Sequence, residues 1–170
     1  PDQAHGSGII VAEQYVLTNY HVVENATDIT VTVYSPSAIA YQAKVIMTDK
    51  INDFALLKVK TNKILPCAIL GNSDNVKAGD MVFAMGNTFG SGNVFTTGVI
   101  CDKTQSFFVD GRAYQNMIRT ETYLYPGSIG GPLADINGEI IGVNTAIYDP
   151  QGKPTGISFA TPINRALALL

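Results

Sequence analysis

Cysteine, histidine and charge are all scarce in this chain of 170 residues, and each shortage removes a class of function. The two cysteines, Cys67 and Cys101, form no CxxC pair and no cluster with histidine, so neither zinc-type ligand spacing nor a disulfide framework is available. Their apolar settings, "PCAIL" and "GVICD", predict small buried core residues. His5 and His21 are the only imidazoles, which excludes a histidine-rich metal site. No metal or cofactor is expected, and a transition metal would need carboxylate or thiol ligands as well. Charged residues make up 15% of the chain, the formal net charge is −3, and no run of Lys or Arg occurs. That leaves no electrostatic footprint for nucleic acid or an anionic membrane. Apolar runs are short too: Ile64–Leu70, broken by Pro66 and Cys67, falls far below the ~20 residues that span a bilayer. The chain opens at Pro1 with no charged n-region or apolar h-region, so it reads as an excised segment whose targeting signal is missing. Internal repeats and low-complexity tracts are absent.

What is present is hydrophobic residue, 46% of the chain, enough to bury one substantial core or two small barrels. Period-two alternation with β-branched residues marks 29–33, 41–46 and 95–100 as half-buried strands. Shorter runs at 8–12, 15–18, 54–59, 81–85, 116–120, 139–144 and 157–160 add more, separated by Gly, Asn, Asp and Pro. Asn137-Gly138 predicts a type I′ hairpin turn, since both residues tolerate positive φ. Around a dozen short strands argue for an all-β barrel or sandwich rather than a βαβ sheet. Helix is expected only in a turn after His21 and at the chain's end, where Thr161 is a candidate N-cap ahead of Pro162 and Ile163, Ala166, Leu167 and Leu170 form an apolar face. The polar stretch "NSDNVKAGD" (Asn72–Asp80) could join two halves.

Three features carry candidate chemistry. His21 follows a strand in "VLTNYHVV", Asp53 precedes one in "DFALLKV", and "YPGSIGGPL" (Tyr125–Leu133) is a glycine-rich turn. Acyl transfer by a serine protease needs a nucleophile, an imidazole to take its proton, a carboxylate to orient that imidazole, and backbone amides aimed at the oxyanion. Singly, His21 reads as a structural histidine and Asp53 as a strand-start turn residue. Their order is more specific: His, then Asp, then a glycine turn is the order of a chymotrypsin-type triad.

With these residues in place, the chain resembles the protease domain of the HtrA/Deg family of trypsin-like serine proteases over nearly its full length. Matching pieces include "GSGIIVAEQYVLTNYHVV", "DFALLKV", "LGNSDNVKAGD", "AMGNTFG", "TTGVI", "YPGSIGGPL", "GEIIGVNTAI" and "GISFATPIN". The resemblance implies two packed six-stranded antiparallel β-barrels, the first over about residues 1–75 and the second over about 80–160, with a short C-terminal helix over about 162–170. It implies that His21 and Asp53 meet the Gly127–Gly131 turn in a cleft, with Gly127, Ser128 and Ile129 forming the oxyanion hole. It also implies that Val143, Asn144 and Thr145 are an edge strand pairing with a polypeptide partner, and that residues 102–117 and 148–156 are loops beside the cleft. Family members commonly continue into PDZ domains, none of which is expected within this chain. They assemble as trimers or other homo-oligomers and work in the bacterial periplasm or a membrane-enclosed compartment.

The departure lies at the reacting atom. The family pattern Pro-Gly-Asn-Ser-Gly-Gly-Pro, set on Pro126 and Gly130-Gly131-Pro132, puts Ser128 at the Asn position and Ile129 at the nucleophile. An aliphatic side chain has no lone pair to attack with and no proton for His21 to take. Ser128 is the alternative nucleophile, displaced by ~3.8 Å along the chain from the place a base must reach. A β-branched Ile129 is expected to crowd the scissile carbonyl's position and to disturb the oxyanion amides. Ahead of the turn, Glu121, Tyr123 and Tyr125 stand where the family has an Asp and small residues; the two tyrosines are expected to pack in the core, the alternative being that they partly fill the specificity pocket. The leading expectation is a non-catalytic member that holds a peptide or protein, an active HtrA-like protease among the partners, with magnetosome formation as one known setting for such paralogues. The competing expectation is a periplasmic quality-control endopeptidase, active through Ser128 or inactivated by engineering at position 129.

Overall fold

The computed structural model describes residues 4–34, 37–87, 92–153 and 155–170; Pro1 and the end of the "AMGNTFG" match lie outside them. Eleven strands and one short α-helix are found among the described residues. β1 (Ile9–Ala12), β2 (Tyr15–Asn19), β3 (Ile29–Tyr34), β4 (Ala38–Asp49) and β5 (Phe54–Val59) form an antiparallel sheet in the order β1-β2-β5-β4-β3. β6 (Met81–Asn87), β7 (Asn93–Val109), β8 (Arg112–Thr120), β9 (Pro132–Ala134), β10 (Ile140–Ile147) and β11 (Ser158–Pro162) close into a six-stranded barrel. The all-β class and the two-sheet chymotrypsin-like arrangement hold, with five of the expected six strands in the first sheet among the described residues.

Alternation explains how one apolar sequence serves three cores. β5, "FALLKV", is buried at every position but Lys58. Successive side chains of a strand point to opposite faces. Ala55, Leu57 and Val59 therefore fill the core of the first sheet with Val16, Val23, Ala43 and Leu65, whereas Phe54 and Leu56 face the other way. There, with Ile9 and Leu17, they meet Ile140, Val143, Ile163, Ala166 and Leu169 from the second half. Each large side chain so buried contributes roughly 1.5–3 kcal/mol, which makes this shared core the main tie between the halves. A separate cluster built on Val82, Ala84, Ile100, Ile118, Leu133 and Ile141 fills the barrel.

Several expectations change in the folded chain. The segment at 102–117 is no loop. It belongs to a long hairpin, β7–β8, closed by Asp110-Gly111 with φ of 49° and 76°, the two positive φ values a type I′ turn requires. At Asn137-Gly138 only Gly138 has positive φ, 78°. The connection runs from Asp135 to Glu139, and Asp135 Oδ1 accepts the amides of Asn137 and Glu139. The C-terminal helix is one 3₁₀ turn, Ile163–Ala166, with Pro162 at its N-cap. Thr161 lies in β11 instead, and its buried hydroxyl bonds to Thr145. Neither cysteine is in the core: Cys67 is exposed, Cys101 is partly exposed, and both are free. No helix among the described residues is long and apolar enough to cross a membrane.

Candidate functional site

His21 sits in α1 (Tyr20–Val23), the four-residue helix that begins where β2 ends. The helix therefore starts one residue before His21 rather than after it. Asp53 occupies the turn into β5 with φ of 59°, an uncommon conformation for a residue with a side chain. Main-chain bonds hold it there, since the Asp53 carbonyl accepts the Tyr20 amide and the Asn19 Nδ2 amide, each at 3.0 Å. β2 and β5 pair Asn19 directly with Phe54, so the helix start and the turn are adjacent by register.

The Asp53 carboxylate is 1% exposed and takes up four polar partners. Oδ1 accepts the His21 main-chain amide at 2.9 Å, and Oδ2 accepts His21 Nδ1 at 2.6 Å. Tyr114 donates its hydroxyl to Oδ2 at 2.9 Å, and an Arg112 guanidinium nitrogen lies 3.6 Å from Oδ1. A buried carboxylate needs such company, because desolvation alone disfavours its charge strongly. His21 keeps 33% of its side-chain surface accessible, so the imidazole is oriented from behind and open in front. Burial first, and then the Asp53 charge, push the Tyr114 phenol far above its ordinary value. It stays a donor at any ordinary pH.

Tyr114 and Arg112 come from β8, in the other half of the molecule, and neither was anticipated from the sequence. Phe107 stacks on Tyr114 with ring centroids 5.1 Å apart and itself packs on Phe159. Arg112 lies over the Tyr20 ring at 5.1 Å and pairs with Glu24.

The glycine turn is placed against the same corner. Gly130, at φ 86°, has no room for a Cβ, which would fall 2.3 Å from both the Ser7 carbonyl and Thr18 Oγ1. The Ser7 amide donates to the Ile129 carbonyl at 2.8 Å, and Ser7 Oγ donates to the Gly127 carbonyl at 2.7 Å. A 3₁₀ turn, Pro126–Ser128, carries the chain into Ile129. The amides of Ser128, Ile129, Gly130 and Gly131 all donate within the protein, to the carbonyls of Tyr125, Pro126, Asn144 and Ser128. Of the Gly127, Ser128 and Ile129 amides that the resemblance assigns to the oxyanion hole, Ser128 is thus engaged by Tyr125 at 2.8 Å and Ile129 by Pro126 at 3.2 Å. The Ile129 side chain packs on the barrel core, as Ile147 also does. Ser128 is 4% exposed and pressed against Gly86, where an added Cβ would meet its Oγ at 2.5 Å. No hydrogen bond joins Ser128 to His21 among the described residues.

β10 brings the third element. Val143 pairs with Pro132 on one side and Thr161 on the other, and Asn144 exchanges main-chain bonds with Gly130 and Gly131 while pairing with Ala160. The expected edge is therefore corrected at these two positions, which are interior. Ala146 and Ile147 pair with β11 alone among the described residues, so the open edge starts beyond Asn144. Thr145 ties the halves together, accepting the Asn19 amide at 3.2 Å. Tyr123 and Tyr125 meet edge-on at 5.0 Å, and Tyr123 is 43% exposed, so they pack on each other near the surface rather than in the core. No group of three or more His, Cys, Asp or Glu is placed to hold a metal among the described residues.

A corner in which two β-domains meet, with a histidine backed by a buried carboxylate beside a tight glycine turn, defines a chymotrypsin-type protease fold. Residues 6–143 match the trypsin-like peptidase domain family. The magnetosome formation protease MamE of Paramagnetospirillum magneticum is 40% identical over 163 residues, 95% of this chain and 22% of that protein. A probable periplasmic serine endoprotease, DegP-like, of Chlamydia trachomatis is 43% identical over 164 residues, 95% of this chain and 32% of that one. Among solved structures, the HtrA-type protease AlgW with a decapeptide superposes with a TM-score of 0.86 at 37% identity, covering 96% of this chain and 50% of that one. The MamO protease domain from Magnetospirillum magneticum gives 0.87 at 25%, covering 97% and 87%. The chain belongs to the HtrA/Deg family of trypsin-like serine proteases. It spans about a fifth of the length of MamE and about a third of the DegP-like relative.

Proposed function

We propose that this domain keeps the HtrA cleft as a place to hold polypeptide and does not cut it. The observation that carries the reading is Ile129: the side chain at the nucleophile position has no attacking atom, and its amide donates to Pro126 instead of into the cleft. Loss of a serine nucleophile in a comparable enzyme costs about a millionfold in turnover. His21 and Asp53 then remain as an oriented pair with nothing to activate. The open edge of β10 from Thr145 to Ile147 pairs with an extended peptide, as strand addition requires unpaired N–H and C=O groups. AlgW with its bound decapeptide supports a peptide as the occupant. MamE, a magnetosome formation protease, and the periplasmic DegP-like protease support a periplasmic or membrane-enclosed setting, magnetosome formation included. There the domain works in a homo-oligomer, beside an active HtrA-like protease, without a metal or other cofactor.

A fluorophosphonate probe and a casein digest test the chemistry, and fluorescence anisotropy with labelled unfolded peptides tests binding. The expected result is no label, no cleavage and saturable binding. Labelling at Ser128, or cleavage abolished by Ser128→Ala, would overturn it in favour of an endopeptidase.

A further inference from the structure

Asp53 is oriented by two halves of the molecule at once. The first half supplies the His21 amide and ring; the second supplies the Tyr114 hydroxyl and the Arg112 guanidinium. Both second-half groups sit on β8 within the hairpin arm that β7 and β8 extend, and each is braced separately: Tyr114 by Phe107 and Phe159, Arg112 by Tyr20 and Glu24. Without them, Oδ2 would keep only His21 Nδ1, and the buried charge would have His21 as its sole ionic partner.

We infer that Arg112 and Tyr114 are positioning residues for the His21–Asp53 pair, so that the order of this pair depends on the seating of the β7–β8 arm from the opposite barrel. Tyr114 fixes the carboxylate plane, because Oδ2 lies between two donors at 2.6 and 2.9 Å. Arg112 supplies a permanent positive charge near Oδ1 that does not depend on the protonation of His21. A guanidinium beside a nearly dry carboxylate is screened little. The groups around the pair complete this account: Glu24 shares Arg112, Lys50 lies over the Tyr20 ring at 5.2 Å, and Asp110 acts on Tyr114 from the hairpin turn. This dependence holds whether the cleft cuts peptides or only holds them.

The readout is the downfield proton resonance of the His21 Nδ1–H hydrogen bond, recorded on the whole chain at low temperature. Wild type is expected to show the signal. Tyr114→Phe should weaken it, Arg112→Met should weaken it, and the double variant should lose it to exchange with water, while Arg112→Lys recovers part of the intensity. Full intensity in a folded double variant, shown by circular dichroism and unchanged peptide anisotropy, would overturn the inference. If the double variant does not fold, a cycle in the Asp53→Asn background decides. Arg112→Met should lower the melting temperature by several degrees in wild type and by less than half as much in Asp53→Asn. An equal drop in both backgrounds means Arg112 acts on surface packing alone, and the inference fails.

Discussion

Set side by side, the two halves of the candidate site have kept different things. In the first sheet, His21 and Asp53 retain a complete hydrogen-bonded arrangement, with the carboxylate buried and the imidazole oriented by a 2.6 Å contact. In the barrel, the turn is held by Gly130 and its bonds to Ser7 and Asn144, but Ile129, which the resemblance sets at the nucleophile position, is aliphatic and its amide donates to Pro126. The contrast separates two kinds of constraint. A buried carboxylate is costly without its partners, so the His21–Asp53 pair also contributes to stability. The proposed loss of the nucleophile carries no such cost, because Ile129 packs against the barrel core.

The strongest way to break that contrast is to remove the charge that the first half is built around. Asp53→Ala strands Tyr114 and Arg112 and should destabilise the fold by about 3 kcal/mol, read as a lower midpoint in urea. Next is Gly130→Ala, which combines positive φ with contacts of 2.3 Å and should cost about 2–3 kcal/mol. Gly138→Ala, at a similar φ but with open space around its Cβ, should cost only about 1 kcal/mol. The gap between the two, measured in the same titration, isolates what close packing of the turn adds. Ile129→Ala should remove about 1 kcal/mol, because the side chain is only partly buried; a larger loss would mean Ile129 has become a core residue. Ser128→Asn with Ile129→Ser asks whether the barrel half of the candidate site is otherwise ready. With the amide of residue 129 still donating to Pro126, the expected labelling by fluorophosphonate is slow or nil, and rapid labelling would show that the inward amide follows from isoleucine itself.

The smallest expected effect lies at alkaline pH. Folding raises the proton affinity of the Tyr114 phenol above its ordinary value of 10.0, through burial first and Asp53 second. The associated stability is fully present below pH 10 and falls as the pH climbs toward the folded-state value. Tyr114→Phe should therefore flatten the decline of the melting temperature above pH 10, while an unchanged slope would place the Tyr114 hydroxyl in water.

Period-two patterning made the strands legible, since alternation is a local property that both faces of a sheet impose, and the apolar run "FALLKV" was legible as a strand, with its burial shown by the fold. His21 and Asp53 were legible through their motifs. Tyr114 and Arg112 were not, because their partner lies about sixty residues away in the other half and nothing local encodes that approach. The missed signal was Asp110-Gly111 between "FFV" and "RAY": read as a hairpin turn, it would have projected both residues on a stiff arm rather than in a loop. Cys101 differs from expectation because apolar neighbours on a strand say nothing about which face the thiol takes, and Cys67 because it lies on the irregular connection between β5 and β6.

Gly86 presses so closely on Ser128 that the turn has one wall already built, and Gly130 has Ser7 and Thr18 on another. As information, then, the motif is uneven. Gly130 and Gly131 are fixed by a shortage of space that does not depend on whether the cleft cuts, so a match to them measures architecture. Of the six letters from Gly127 to Pro132, the one on which the proposed difference between a blade and its sheath turns is the third, Ile129.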